Sequence, residues 1–144
     1  MSRELNSSLQ YAALPYRRGK GGLEVMLITS RDTGRWVIPK GWPAPELPPG
    51  LSAAQEAMEE SGLVGQVSKE PIGCYYYSKR LSDGSAVYCT VEVFAFAVEK
   101  QMRTWPEKAE RRTRWFTPQD AADAVQEPEL GTIIRDLPKL IALV

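Results

Sequence analysis

The order of apolar stretches predicts an α/β fold, a mixed sheet layered between helices. Three observations carry that prediction. Strand-like runs come first, a short helix crowded with carboxylates interrupts them, and a second set of strands ends in helical segments. The 144 residues suit one domain, 1–144, able to bury roughly two-thirds of its unfolded surface. No repeat, low-complexity tract or linker divides it.

Residues 1–7 are polar and are expected to be frayed. The run 9–17 reads as a first strand, and Pro15 within it argues for an edge position or an irregularity. A Gly-rich turn at 19–22 leads to 23–30, a nearly continuous apolar run that reads as a strand buried on both faces. After a turn at 31–34, the run 35–38 is a short strand. It enters a loop, 39–50, that holds Pro39, Pro43, Pro45, Pro48 and Pro49 and is therefore stiff. The helix that follows is expected to start at Ser52, with Gln55 as its capping-box partner, and to stop at Gly62. Its inward stripe reads as Ala54, Ala57, Met58 and Ser61.

Strands are expected at 64–69, 72–80 and 86–99, the last two joined by a hairpin turn at 82–85. Alternation puts Tyr75 and Tyr77 on one face and Tyr76 on the other. A polar connection at 102–112 precedes a last strand at 113–116. Thr117 with Pro118 opens a helix over 118–125. A further helix over 127–143 should break at Pro138.

Composition excludes several function classes. Lys and Arg number 18 and Asp and Glu 18, so no net positive field favours nucleic acid. No apolar run reaches membrane-spanning length, and the first ten residues lack the pattern of a signal peptide. Two cysteines, Cys74 and Cys89, sit in strand-like runs and read as core residues of a reducing compartment. The expected setting is the cytoplasm. There are 0 histidines, which removes histidine triads, histidine general bases and histidine metal sites. A metal in this chain needs oxygen ligands, which points to Mg²⁺ or Mn²⁺.

The carboxylates point the same way. Glu56, Glu59 and Glu60 stand at i, i+3 and i+4 and share a helical face, where like charges repel. A solvated acidic face is the plain reading. A hard divalent cation, held by one or two carboxylates and substrate phosphates, would offset the repulsion. Arg31, Arg35 and Lys40, with Lys79 and Arg80 at the hairpin, are candidates for phosphate contacts or simply solvated charges. Trp36 reads as core. Trp42 precedes a proline in the loop and either walls a pocket or stacks on a ligand. Glu107 and Glu110 are candidates for extra acids, though an exposed linker is the preferred reading, and Trp105 has no mechanism derivable from the sequence.

The stretch from Gly41 to Leu63 resembles the Nudix box, G-x5-E-x7-R-E-U-x-E-E-x-G-U, where U is a bulky apolar residue. Gly41, Glu56, Glu59, Glu60, Gly62 and Leu63 match. Leu47 stands where the first Glu belongs, with Glu46 one residue early, and Gln55 stands where the Arg belongs. Ala57 is small for the first U. The lead-in, residues 35–43, is similar to that of the subgroup related to diphosphoinositol polyphosphate phosphohydrolases. The resemblance implies the Nudix fold, an α/β/α sandwich with a mixed sheet. It implies catalytic carboxylates at Glu56, Glu59 and Glu60, and a Mg²⁺ or Mn²⁺ site formed by them with Gly41. It implies substrate contacts from Arg31, Arg35, Lys40 and Trp42.

The expected activity is metal-dependent hydrolysis of a phosphoanhydride bond in a nucleoside diphosphate-linked or polyphosphate small molecule. The alternative is a weakly active or inactive Nudix-fold module that binds a nucleotide or a protein, and the departures at Leu47 and Gln55 favour it. Oligomeric state and the identity of the substrate are left open by the sequence.

Overall fold

A computed structural model describes residues 8–142. The expectation of fraying at residues 1–7 and the last residues of the chain lie outside that range. The strands are β1 (Ser8–Gly19), β2 (Gly22–Thr29), β3 (Trp36–Val37), β4 (Lys40–Gly41), β5 (Leu63–Val67), β6 (Gly73–Arg80), β7 (Ala86–Gln101) and β8 (Thr113–Phe116). The helices are α1 (Pro49–Ser61), α2 (Pro118–Ala124), α3 (Pro128–Arg135) and α4 (Leu137–Ile141), with a 3-10 turn at Lys108–Glu110.

One mixed sheet of 8 strands runs through the molecule. Its centre is the parallel pair β1 and β7, in register from Ser8 opposite Cys89 to Tyr16 opposite Ala97. β1 takes β2 and β4 along its other edge, while β7 takes β6 along its first half and β5 along its second. Alternation along the central strands splits the apolar residues between two faces. Ala12, Leu14, Val25, Leu27, Val91 and Val93 pack under α2, α3 and α4. Ala13, Met26, Phe94 and Phe96 pack under α1 through Ala53 and Ala57. The predicted α/β/α sandwich is therefore present.

Pro15 marks an irregularity in the ladder, the second of the two expectations, and not an edge. It lies in β1, opposite Phe96 of β7. On the other side of β1, Pro15 falls between the Ala13 N–H bond to the Pro39 carbonyl and the start of the β2 ladder at Tyr16 opposite Val25. The missing donor meets a gap in the ladder, so a central proline is tolerated.

Helix α1 starts earlier than the capping-box reading required. Pro48 and Pro49 preset the entry, no side chain caps it, and Ser52 lies inside the first turn. The Ser52 hydroxyl instead accepts from the Ala44 N–H at 3.0 Å, tying the Pro-rich loop to the helix. Gln55 is free of capping duty and donates to Glu59 at 3.1 Å. The buried row is Ser52, Ala53, Ala57, Glu60 and Ser61, with Ala54 and Met58 only half-buried. The inward face is thus turned from the predicted stripe, and it takes Glu60 with it.

Gly62 ends the helix in the left-handed region at φ 74. A Cβ there would overlap the Trp105 ring, which explains why Trp105 sits in the 102–112 connection. Gly62→Ala is expected to lower stability by roughly 2–4 kcal/mol, adding overpacking to an unfavourable φ. Gly84→Ala in the β6–β7 turn, at φ 90 with open space around it, is the comparison and should lose only about 1–2 kcal/mol. Denaturant unfolding of both variants measures the difference.

The remaining expectations differ little. Thr117 caps α2 by accepting from the Asp120 N–H at 3.1 Å. The last helical stretch divides at Asp136, with Pro138 in the first turn of α4. Tyr75 is buried, while Tyr76 on the opposite face stacks on Tyr88 with ring centroids 6.0 Å apart. Cys89 is buried as expected, but Cys74 is half-buried, and both are free thiols.

Candidate active site

The box loop, the buried side of α1 and the end of β2 enclose a cavity of about 320 Å³. Glu56 and Glu60 face into it from α1, Lys40, Gly41 and Trp42 from β4 and its loop, and Arg111 from the connection before β8. A neighbouring hollow of about 670 Å³ shares Lys40 and Lys79 with it and adds Arg35, Tyr77 and Arg80. A third hollow, about 450 Å³, lies at Tyr16, Val67, Ala95 and Ala97 and contains none of the box carboxylates.

Two of the three predicted carboxylates meet. Glu60 is 6% exposed and accepts from the Lys40 N–H at 3.3 Å. Its carboxyl is within hydrogen-bonding reach of Glu56. Burial pushes Glu60 up to about 8, against the pull of Arg111, and the Glu56 contact pushes the same way. Glu56, half-buried, is also raised, first by burial and then by the charge of Glu59, with its hydrogen bond to Glu60 acting against both. Two carboxyl groups this close disfavour ionisation of both at once. Glu59 stands outside the pair, its carboxylate held by Gln55. Among the described residues no group of three or more His, Cys, Asp and Glu side chains is arranged to hold a metal ion. Glu60 turns inward beside Glu56, while Glu59 bonds Gln55 on the outer side of the helix.

Gly41 is where the backbone comes closest. A Cβ at this position would overlap the Glu56 carboxylate. Only a residue without a side chain lets the carboxylate lie against β4.

The cations fall into two groups. Lys40 sits with Nζ 4.7 Å from the centre of the Tyr77 ring, and burial lowers its proton affinity against the opposing charge of Glu60. Among the described residues its ammonium forms no ion pair. Arg31 is exposed and pairs with Glu110 at 2.7 Å and Glu107 at 4.0 Å at the rim. Arg35 does not reach the acid pair. It binds the buried Glu127 at 2.8 Å and lines the neighbouring hollow. Trp42 is 45% exposed at the mouth, while Trp36 packs edge-on against Phe116 at 5.1 Å, as a core residue.

Sequence reasoning weighed Glu107 as an extra acid but preferred a linker, and it missed Arg111. The 102–112 connection, read as an exposed linker, straps over the end of α1, with the Met102 N–H on the Gly62 carbonyl and the Glu107 N–H on the Glu59 carbonyl. It delivers Glu107 and Arg111 into the cavity. No local signal marks them, because their role depends on a contact with residues half the chain away.

No protein-family model matches the chain. Curated relatives do. The chain is 33% identical over 124 residues to Nudix hydrolase 21, chloroplastic, from Arabidopsis thaliana, covering 78% of this chain and 57% of that protein. It is 28% identical over 106 residues to diphosphoinositol polyphosphate phosphohydrolase 3-beta from Homo sapiens, covering 72% and 60%. The chain thus spans about three-fifths of the length of these relatives. A crystal structure of a C. elegans Ap4A hydrolase superimposes with a TM-score of 0.67 at 15% identity, covering 94% of this chain and 98% of that one, a likeness of fold.

Proposed function

From the premise that the chain belongs to the Nudix hydrolase superfamily, we propose that it hydrolyses a phosphoanhydride bond in a polyphosphate or nucleoside diphosphate-linked small molecule, with Mg²⁺ or Mn²⁺. The observation that carries the reading is the pair Glu56 and Glu60, set against Gly41 at the floor of a cavity whose walls bring Lys40, Lys79 and Arg31.

The residues fit a hard cation. Two carboxylates and no nitrogen or sulfur donor form the set that Mg²⁺ accepts, since it keeps its other positions for water and phosphate oxygens. Glu56 and Glu60 would hold it, with the Gly41 backbone as a further oxygen donor. When bound, the ion supplies charge neutralisation at the bridging phosphates and a more acidic water.

The chain's own groups do the rest. Glu60, fixed by the Lys40 N–H, sets the position of the acid pair. Glu56, facing the cavity beside Glu60, would accept the proton of the attacking water. Lys40, unpaired and desolvated, receives a phosphate, and Lys79 and Arg31 flank the path along which further phosphates extend. Trp42 forms the outer wall. The two free thiols support a reducing setting such as the cytoplasm.

A panel of diphosphoinositol polyphosphates, dinucleoside polyphosphates and nucleotide sugars, assayed with Mg²⁺ and with Mn²⁺ for released phosphate or nucleotide, tests the proposal. Hydrolysis of at least one class is expected. Metal and ligand binding without hydrolysis across the panel would favour the binding-module reading instead. On an active substrate, Lys40→Met keeps the packing on Tyr77 and removes the charge. It should raise KM roughly tenfold, the worth of one charged hydrogen bond, with kcat less affected.

A further inference from the structure

The box of this chain lacks its arginine, since Gln55 donates hydrogen bonds but carries no charge. Yet a guanidinium does reach the box carboxylates, from another part of the chain. Arg111 is 9% exposed at its side chain. Its Nε lies 2.8 Å from Glu107 Oε1, its Nη2 lies 3.7 Å from Glu60 Oε2, and its Nη1 donates to the Thr29 carbonyl at 3.2 Å. The next residue is locked as well: the Arg112 N–H donates to the Thr29 hydroxyl at 2.9 Å, and the Thr29 N–H donates to the Arg112 carbonyl at 3.0 Å. One planar fork thus spans α1, the end of β2 and the strap before β8.

We infer that Arg111 is the positioning residue of this site, and that it does for Glu60 and Glu107 what an arginine at position 55 would do from within the box. The inference deepens the hydrolase reading and rests on it. Four carboxylates, Glu56, Glu59, Glu60 and Glu107, lie on or beside one small cavity, and Arg111 is the buried cation that contacts two of them. A rigid guanidinium suits this task, since its donors bind several oxygens at fixed angles, which an ammonium does not do. Arg31, exposed and paired to Glu110 at the rim, does not substitute for it. The location also accounts for Gln55. With the charge supplied from the strap, position 55 is released to bond Glu59 on the outer side of the helix.

The test is a cycle of four proteins: wild type, Arg111→Gln, Leu47→Glu/Gln55→Arg, and all three substitutions together. Each is measured for Mn²⁺ affinity by calorimetry and for kcat and KM on a substrate found by the panel. Arg111→Gln is expected to weaken Mn²⁺ at least about tenfold and to lower kcat more than it alters KM. Leu47→Glu/Gln55→Arg should change wild type by less than about threefold and restore the Arg111→Gln protein to within about threefold of wild type.

Arg111→Gln that folds, binds Mn²⁺ and turns over like wild type overturns the inference and leaves the hydrolase reading standing. Equal effects of the box substitutions with and without Arg111 overturn it too. A wild type that neither binds Mn²⁺ nor hydrolyses any substrate overturns both. If Arg111→Gln fails to fold, Arg111→Lys, which keeps the charge and loses the fork, is read by the same criteria.

Discussion

Glu60→Gln is expected to cut kcat/KM about a thousandfold while making the metal-free protein more stable at pH 8. The rate loss follows from removing one of the two helix carboxylates that face the cavity, at a scale of several kcal/mol of transition-state charge stabilisation. The gain in stability follows from burial. Glu60 holds its proton up to about 8 in the folded chain, whereas a free glutamate releases it near about 4.3. A raised carboxyl is no burden below the lower value. Its contribution to stability is lost as pH climbs from there through the folded value, with a slope of at most about 1.4 kcal/mol per pH unit for one proton. Glutamine has no proton to lose, so its unfolding free energy in EDTA should be flatter between pH 5 and 8. Saturating Mn²⁺ should reverse the order at pH 8, stabilising wild type and not the variant. Equal pH slopes for the two proteins in EDTA would contradict the buried protonated pair.

Gly41→Ala is expected to lower kcat about a hundredfold with little change in stability. The added methyl overlaps the Glu56 carboxylate, which is the far end of a flexible side chain and can swing away. The fold therefore accommodates the methyl, and φ at Gly41 is not in the left-handed region, so the backbone carries no strain. The carboxylate no longer rests where the acid pair needs it, and a displacement of about 1 Å at a reacting group costs roughly 10²-fold. Thermal unfolding alongside single-turnover kinetics separates the two effects. A Gly41→Ala protein that retains wild-type kcat would remove the close approach from the mechanism.

Much of the fold can be read from the amino-acid order because strand periodicity and turn residues are local. The run 113–116 coincides with β8, the helix break falls beside Pro138, and the tyrosines at 75–77 alternate as predicted. The errors arise where a distant contact overrides a local signal. Ser52 has the chemistry of a cap, but the two prolines before it start the helix sooner and its hydroxyl serves Ala44 instead. Pro15 fits an edge or an irregularity equally from its chemistry, and only the gap opposite it decides for the irregularity. At the site, Gly41 and the acid helix stand out in the sequence because they are close along the chain. Arg35 and Lys40 are equally basic neighbours of the box, and only the presence of Glu127 beside Arg35 separates a structural ion pair from an unpaired cation. Arg111 is one of four basic residues in the run 108–114, with Lys108, Arg112 and Arg114, and nothing in the run distinguishes the one that turns inward.

The parallel pairing of β1 with β7 also governs when the molecule can assemble. Ser8 meets Cys89 and Tyr16 meets Ala97, so the ladder at the centre of the sheet closes a loop of about eighty residues. Such a closure carries a large entropic cost before any contact rewards it, and parallel pairing is slow for that reason. The helix with Glu56 and Glu60 lies inside the loop, and the strap with Arg111 follows it. During synthesis the acid helix therefore leaves the ribosome before β7 exists to seat Phe94 and Phe96 beneath it. The floor that carries the acid pair should appear only in the last kinetic phase, so on the hydrolase reading Mn²⁺ uptake should lag behind the helical signal during refolding.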